Sequence, residues 1–410
     1  MSMQYLKIGD FCNVSSSKRV FASQYVNYGI PFYRQKEIID KKNGEDIKEP
    51  IYISKSLYNE LKSKSGVPNP GDLLITAVGA TLGIPYVVKD EKFYFKDGNL
   101  IRLSDFENMI NSTYLYYWMN STFGFQTLWN RTIGSAQPAL TIDSIKKLSI
   151  PIPSRETQDS IVFILTTFDN LITNNNKSVK LLEQMIESLY KEWFVRFRFP
   201  EFKNTEFTNG IPYGWSYITL DKIVSFDRGI SYSSEEIECD DGVNLINLKN
   251  IQSYGGFRRE GTKKYNGKFK ESQVVKKGDL ILGVTDMTQD RRTVGHVAMI
   301  PTMEDVCVIS ADLVKINSKI SKVFLYSMFR YGFYSKYFSQ FANGANVLHL
   351  KPSVLMNKKI LMPSKELIDE FSKKVSPMME MIDKLNLMNG NLIKQRDYLL
   401  PRLMSGKLEV

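Results

Sequence analysis

Residues 154–199 read SRETQDSIVFILTTFDNLITNNNKSVKLLEQMIESLYKEWFVRFRF. Within them Ile161, Leu165, Phe168, Ile172, Val179, Leu182, Ile186, Leu189 and Trp193 follow a seam of alternating four- and three-residue steps, with Asn175 as its polar member. That spacing predicts a long helix packed on another helix. From 161 to 193 it would measure about 50 Å at roughly 1.5 Å per residue. A helix of that length separates modules or holds a partner.

The same seam recurs 210 positions later as Phe371, Val375, Met378, Ile382, Leu385, Asn389, Leu392, Arg396, Leu399 and Leu403. Two such helices packed antiparallel about a pseudo-twofold axis would bring Asn175 opposite Asn389, a d position facing an a position. A buried amide pair costs stability and fixes register. The alternative is that both asparagines face solvent, where the first helix frays around residues 174–177. Leu165, Ile172, Leu182, Leu189, Ile382, Leu392 and Leu399 are the expected apolar pairing residues.

Outward from the helices the repeat continues. Gly71-Asp72-Leu73-Leu74 is echoed by Gly278-Asp279-Leu280-Ile281, and residues 99–103 by 312–316. Tyr114-Leu115-Tyr116 matches Phe324-Leu325-Tyr326. Residues 134–140, followed by a strand ending Pro153-Ser154, match 344–350, followed by one ending Pro363-Ser364. Buried strands are expected over 72–78 and 279–285, further strands over 84–89 and 296–301, and helical aromatic-rich segments over 112–130 and 321–341. Those aromatics fit a core better than a base-stacking platform. The pattern is α+β: a mixed module over 1–153, a helix over 154–199, a second module over 200–363 and a second helix over 364–410. Residues 198–214, with two prolines and two glycines, read as a linker.

The chain has 410 residues, 43% hydrophobic and 12% aromatic, which suits two or more globular domains. Neither terminus resembles a targeting signal and no apolar run reaches membrane-span length, so a cytoplasmic protein without membrane contact is expected. Cys12, Cys239 and Cys307 are too few and scattered for a disulfide framework or zinc cluster. His296 and His349 are the only histidines. A formal charge of +10 leans toward a polyanionic partner. There is no Asp/Asn-Pro-Pro-aromatic tetrapeptide, no glycine-rich nucleotide turn and no Walker loop. The acidic run Glu235, Glu236, Glu238, Asp240 and Asp241 reads as a solvated loop.

Several segments together resemble one family. They are Leu189-Tyr190-Lys191-Glu192-Trp193-Phe194 running into Phe197-Arg198-Phe199-Pro200, then Gly210-Ile211-Pro212-Tyr213-Gly214-Trp215, and the ending from Gln395 to Leu408 that contains Pro401-Arg402-Leu403-Met404-Ser405-Gly406. With the duplicated layout they are similar to the specificity subunit of a type I restriction-modification system, over essentially the full length. The resemblance implies two target recognition domains, each reading half of a split double-stranded DNA site, joined by two spacer helices. It also implies two adenine methyltransferase subunits held by the helices, with endonuclease/translocase subunits in the full complex. S-adenosylmethionine, Mg and ATP would belong to those partners, none to this chain, which would be noncatalytic and nucleoid-associated through DNA. A stand-alone nuclease, or a scaffold using the helix pair without reading DNA, are the competing classes.

DNA contacts should divide into phosphate positioning and base reading. Residues 257–270 crowd Arg258, Arg259, Lys263, Lys264, Lys268 and Lys270 together, as a phosphate-binding stretch or a solvated hairpin. Arg291 and Arg292, with Thr285, Thr288 and Gln289, suit base edges, arginine matching guanine and glutamine adenine. The corresponding loop of the first module offers Thr76 and Thr81 without a basic residue. Earlier candidates are Lys18, Arg19, Arg34 and Lys36 in the first module, and Arg228 and Tyr232 in the second. The loop before each module's last strand adds Asn130, Arg131, Ser135 and Gln137, and Asn343, Asn346 and His349. Its glycines, Gly134 and Gly344, permit close approach to DNA or simply a turn at positive φ.

Overall fold

The structure is a computed structural model that describes residues 3–134, 138–237 and 240–410. It divides into two compact units, Met1–Ile172 with Asn391–Val410, and Thr173–Gly390. Each unit owns part of each long helix. The helices are Arg155–Tyr190, closed by a π turn at Lys191–Val195, and Lys365–Met404.

In the first unit an antiparallel sheet runs Asn13–Ser15, Leu100–Ser104, Leu73–Thr76, Pro85–Val87, with Leu73 opposite Leu103 and Ile75 opposite Ile101. A second sheet runs Tyr25–Val26, Ile51–Ile53, Ile30–Tyr33, Tyr94–Phe95, its last pairing parallel. Gln4–Lys7 pairs with Ser149–Ile152, the strand that feeds the central helix. The second unit repeats the plan. Its antiparallel sheet runs Val224–Arg228, Leu313–Ser318, Leu280–Gly283, Val297–Met299. Another runs Lys263–Tyr265, Val243–Ile246, Cys307–Ile309, Val274–Val275, with the middle pair parallel, and Ser216–Thr219 pairs with Lys359–Met362. The four-stranded antiparallel sheet and the strand pair that feeds each long helix repeat in both units, while the second sheets differ in where their parallel pair sits.

Each long helix starts the same way. Ser154 Oγ accepts from Thr157 N at 3.3 Å and Ser364 Oγ from Leu367 N at 3.3 Å, both serving as N-caps. At the first helix Gln158, fully buried, accepts from Asn111 N and donates to the carbonyls of Met109 and Pro153. That amide bolts the helix to its module.

Within each unit the helix segments run antiparallel. In the first, Ile161 and Leu165 share a core with Leu403, Met404, Leu115 and Trp118. Arg396, the charged seam position, donates to Asp169 at 2.7 Å, and Asp169 also accepts from Tyr117 Oη at 2.6 Å. In the second, Ile186, Tyr190, Trp193 and Phe194 pack with Phe371 and Val375. Asn175 Nδ2 donates to Asn389 Oδ1 at 2.8 Å, and Asn389, 6% exposed, returns its own Nδ2 to Asn176 Oδ1 at 2.8 Å. The seam amides thus form a hydrogen-bonded layer that includes Asn176, a residue outside the seam. A double-mutant cycle of Asn175→Ala and Asn389→Ala, read by denaturant unfolding of the full chain, is expected to give a coupling of about 1 kcal/mol. Additive single effects would contradict the pairing.

Three local readings change. Residues 112–130 form two helices, Ser112–Asn120 and Thr122–Trp129, because Ser121 caps the second and Gly124 lies against the Trp118 carbonyl, where an added Cβ would come within 1.9 Å. Likewise 321–341 breaks between Lys322–Tyr331 and Tyr334–Ser339, at Phe333 with φ 66°. The linker expected over 198–214 is instead ordered. Phe207–Thr208 and Ile211–Pro212 pair as a hairpin through Asn209-Gly210, both at positive φ, and Phe199 stacks on Trp215.

Candidate nucleic-acid interface

In both units the fold brings together the two loops that the sequence marks as separate candidates. In the second unit the strand expected over 279–285 ends at Gly283, where a Cβ would meet the Thr293 carbonyl oxygen at 2.4 Å. The chain leaves the sheet there. Thr285–Asp286 then pairs with Leu348–His349, and Gln289 Nε2 donates to the Ala345 carbonyl at 2.9 Å. In the first unit Val78 and Ile133 both bridge to Ala139, and Gly79 N donates to the Pro138 carbonyl. Gln35 Nε2 closes that loop by donating to Val78 O at 2.9 Å and to Thr81 Oγ1 at 2.5 Å.

Asp286 organises the second unit's surface. It is 3% exposed and its carboxylate accepts from Thr288 N and Oγ1, both at 2.8 Å, from Thr293 N at 2.6 Å and Oγ1 at 2.9 Å, and from Val294 N at 3.3 Å. Burial opposes ionisation, but these donors outweigh it and hold the carboxyl below the ordinary range. The clamp fixes both ends of an exposed stretch that carries Met287, Gln289 and Arg292. Asp286 and Gln35 are not among the sequence candidates; Asp286-Met287-Thr288, an Asx-turn pattern, is the signal the sequence carries for the first.

Behind the loop His296 is buried, its Nδ1 has no partner, and the Tyr254 ring meets it edge-on at 5.7 Å. Burial pushes its pKa down to about 4, against the pull of the Asp286 charge. The neutral form belongs to the fold, and the unfolded chain binds the proton more readily. Stability is therefore complete above pH 6.5 and falls as pH drops toward 4, by roughly 3 kcal/mol at full titration. Denaturant melts of the full chain between these pH values should show that slope, and His296→Phe should remove most of it. An unchanged slope would refute the assignment.

The other sequence candidates separate into exposed and committed side chains. Arg258, Arg228, Asn343, Asn346, Asn130, Arg131, Lys18, Lys36 and Thr81 are exposed. Arg292 is exposed and pairs with its neighbour Asp290, whereas Arg291, at φ 53°, is half-buried with Nε unpartnered. Arg19 pairs with Asp97 at 3.0 Å, Lys264 with Asp305 at 2.8 Å, and Arg34 with the buried Glu37 at 2.5 Å. Lys263 and Tyr232 are half-buried, and burial with the Asp312 charge raises the Tyr232 pKa. Two further candidates hold partners within the fold. Arg259 donates to Thr302 O and to Asp383 on the C-terminal helix, each at 2.8 Å, and Thr285 is buried with its hydroxyl donating to Asp312 at 2.9 Å. Ser135 and Gln137 lie outside the described residues. Among the described residues there is no cluster of metal-ligating side chains and no helix long and apolar enough to cross a membrane.

Residues 2–184 match the type I restriction modification DNA specificity domain. The chain is 29% identical to the type I restriction enzyme MjaIX specificity subunit of Methanocaldococcus jannaschii, over 73% of this chain and 69% of that one. It is 24% identical to the MjaVIII specificity subunit of the same organism, over 87% and 83%. The crystal structure of a type I restriction-modification S subunit from M. genitalium superposes with a TM-score of 0.63 at 13% identity, covering 98% of this chain and 96% of that one, a likeness of fold. With a repeated module and paired long helices, the chain is similar in sequence and in fold to the specificity subunits of type I restriction-modification systems.

Proposed function

We propose that the two units read the two halves of an asymmetric, split DNA target. The observation that carries this is the pairing of the same two loops on the same scaffold in both units, with different side chains presented: Gln289, Arg292 and Asn343 in the second, Thr81, Asn130 and Arg131 in the first. Equal frames with unequal faces suit two different half-sites. The long helices would act as the spacer that sets the unread gap and as the seat for two methyltransferase subunits. Adenine methylation, and cleavage when endonuclease/translocase subunits join, would be carried by those partners with their S-adenosylmethionine, Mg and ATP. This chain would contribute the address and no reacting group.

Selection of duplexes from a randomised pool by the complex of this chain with its methyltransferase subunit tests the reading. Two blocks of fixed bases separated by a constant unread gap are expected. An assembled complex that enriches no sequence would replace this proposal with a protein scaffold.

A further inference from the structure

Four tryptophans occur in the chain, and three of them, Trp118, Trp193 and Trp215, are buried. Trp129 is 42% exposed, at the end of helix Thr122–Trp129, and stacks on Phe125, itself 41% exposed, with ring centroids 6.1 Å apart. Four residues on, Ile133 is 58% exposed. This apolar surface adjoins the paired loops of the first unit. Phe125 lies 3.4 Å from the Cβ position of Gly83, which follows Thr81, and Ile133 bridges to Ala139, as does Val78.

The second unit treats the same place differently. At the repeat spacing of 210, Phe125, Trp129 and Ile133 correspond to Ser335, Ser339 and Asn343. There Gly295, the counterpart of Gly83, packs directly on Ser335 and Ser339, and both serines are buried. The small residues let that loop close on its helix. In the first unit, large side chains at these positions leave stacked rings open to solvent. A solvated aromatic and aliphatic surface is unfavourable on an unpartnered protein, and it marks an interaction site.

Its electrostatic setting favours nucleic acid. From residue 108 to residue 142 the sequence contains no aspartate or glutamate, and Arg131 is its single charge. A polyanion approaching this side meets no repelling carboxylate from the segment. The first unit also lacks an arginine in its Gly79–Thr81 loop, where the second presents Arg292.

We infer that Phe125, Trp129 and Ile133 form a DNA-contacting surface of the first unit, which reads its half-site through apolar contact with base methyl groups, sugar faces or an opened base step, where the second unit relies on polar side chains. Apolar side chains recognise thymine methyls, and rings or aliphatic wedges stack on exposed base faces. The inference rests on the reading of the two units as half-site readers. It makes the first half-site less sensitive to salt than the second, because fewer ionic contacts are made there.

The test uses the full chain carrying 5-fluorotryptophan, assembled with unlabelled methyltransferase subunit, with the Trp129 resonance assigned by Trp129→Phe. Addition of the cognate duplex is expected to shift that 19F resonance, and a duplex scrambled in the first half-site is not. A variant carrying the second unit's residues, Phe125→Ser, Trp129→Ser and Ile133→Asn, should bind the cognate duplex at least tenfold more weakly and keep its discrimination at the second half-site. Sequence-specific binding with an unmoved resonance and a variant of parental affinity would overturn the inference and leave the half-site reading intact. A variant that loses methyltransferase assembly and not DNA affinity would also overturn it, assigning the patch to a protein. Absence of any sequence-specific binding by the parent complex would remove the reading on which the inference stands.

Discussion

Phe371→Ala is expected to destabilise the chain by about 3–5 kcal/mol, the cost of deleting a large side chain from a packed core. Phe371 is fully buried, and its ring lies 5.0 Å from Phe194, 5.9 Å from Tyr190 and from Trp193, and 6.2 Å from Phe324. One side chain thus joins the C-terminal helix, the end of the central helix and the module helix Lys322–Tyr331. Aromatic pairs add roughly 0.5–1.5 kcal/mol each beyond area burial, so collapse around the cavity would sacrifice favourable edge contacts. Denaturant unfolding of the purified chain checks this. A loss below 1 kcal/mol would mean that the helices are held together elsewhere.

Asp286→Ala should disable one half of recognition. The substitution leaves the backbone N–H groups of Thr288, Thr293 and Val294 without their acceptor, and charge-assisted bonds of this kind contribute about 1.5–3 kcal/mol each when partners are lost in the interior. The stretch bearing Gln289 and Arg292 then loses its fixed path. Binding of the cognate duplex by the methyltransferase complex is expected to fall by roughly a hundredfold, equivalent to about 3 kcal/mol. The loss should be confined to the second half-site. A duplex altered in the second half-site should bind parent and variant equally, whereas one altered in the first should still separate them. Equal loss at both halves would contradict modular reading. Because folded Asp286 titrates below the ordinary carboxylate range, its contribution is present at neutral pH and disappears as pH falls through that lowered value.

The helices were the most legible part of the chain, since heptad spacing is a local signal and every seam position is at least partly buried. Asn175 and Asn389 could be placed opposite one another from the repeat offset alone, but the third amide, Asn176, could not, because it enters from outside the seam. Strands beginning at Leu73 and Leu280 were visible as apolar runs after Gly-Asp turns. What escaped depended on distant partners. Arg259 looked like a free cation until Asp383, 124 positions away, is placed beside it, and Thr285 looked accessible until Asp312 is. Asparagine and glycine at 209 and 210 fall in a stretch whose prolines and glycines suggest a linker, and together they specify a tight hairpin turn. The aromatics of 112–130 share one helical spacing in the sequence, yet the break at Ser121 sends Tyr114 and Trp118 inward and leaves Phe125 and Trp129 outside.

Half-site reading by two modules is tested most directly by single-molecule sequencing of adenine methylation in DNA from cells that express this chain with its cognate methyltransferase subunit, against cells that lack the chain. A split, asymmetric methylated motif that appears only with the chain is expected, and Asp286→Ala should degrade one of its halves. Methylation unchanged by the chain, in cells where the subunits still assemble, would contradict the account.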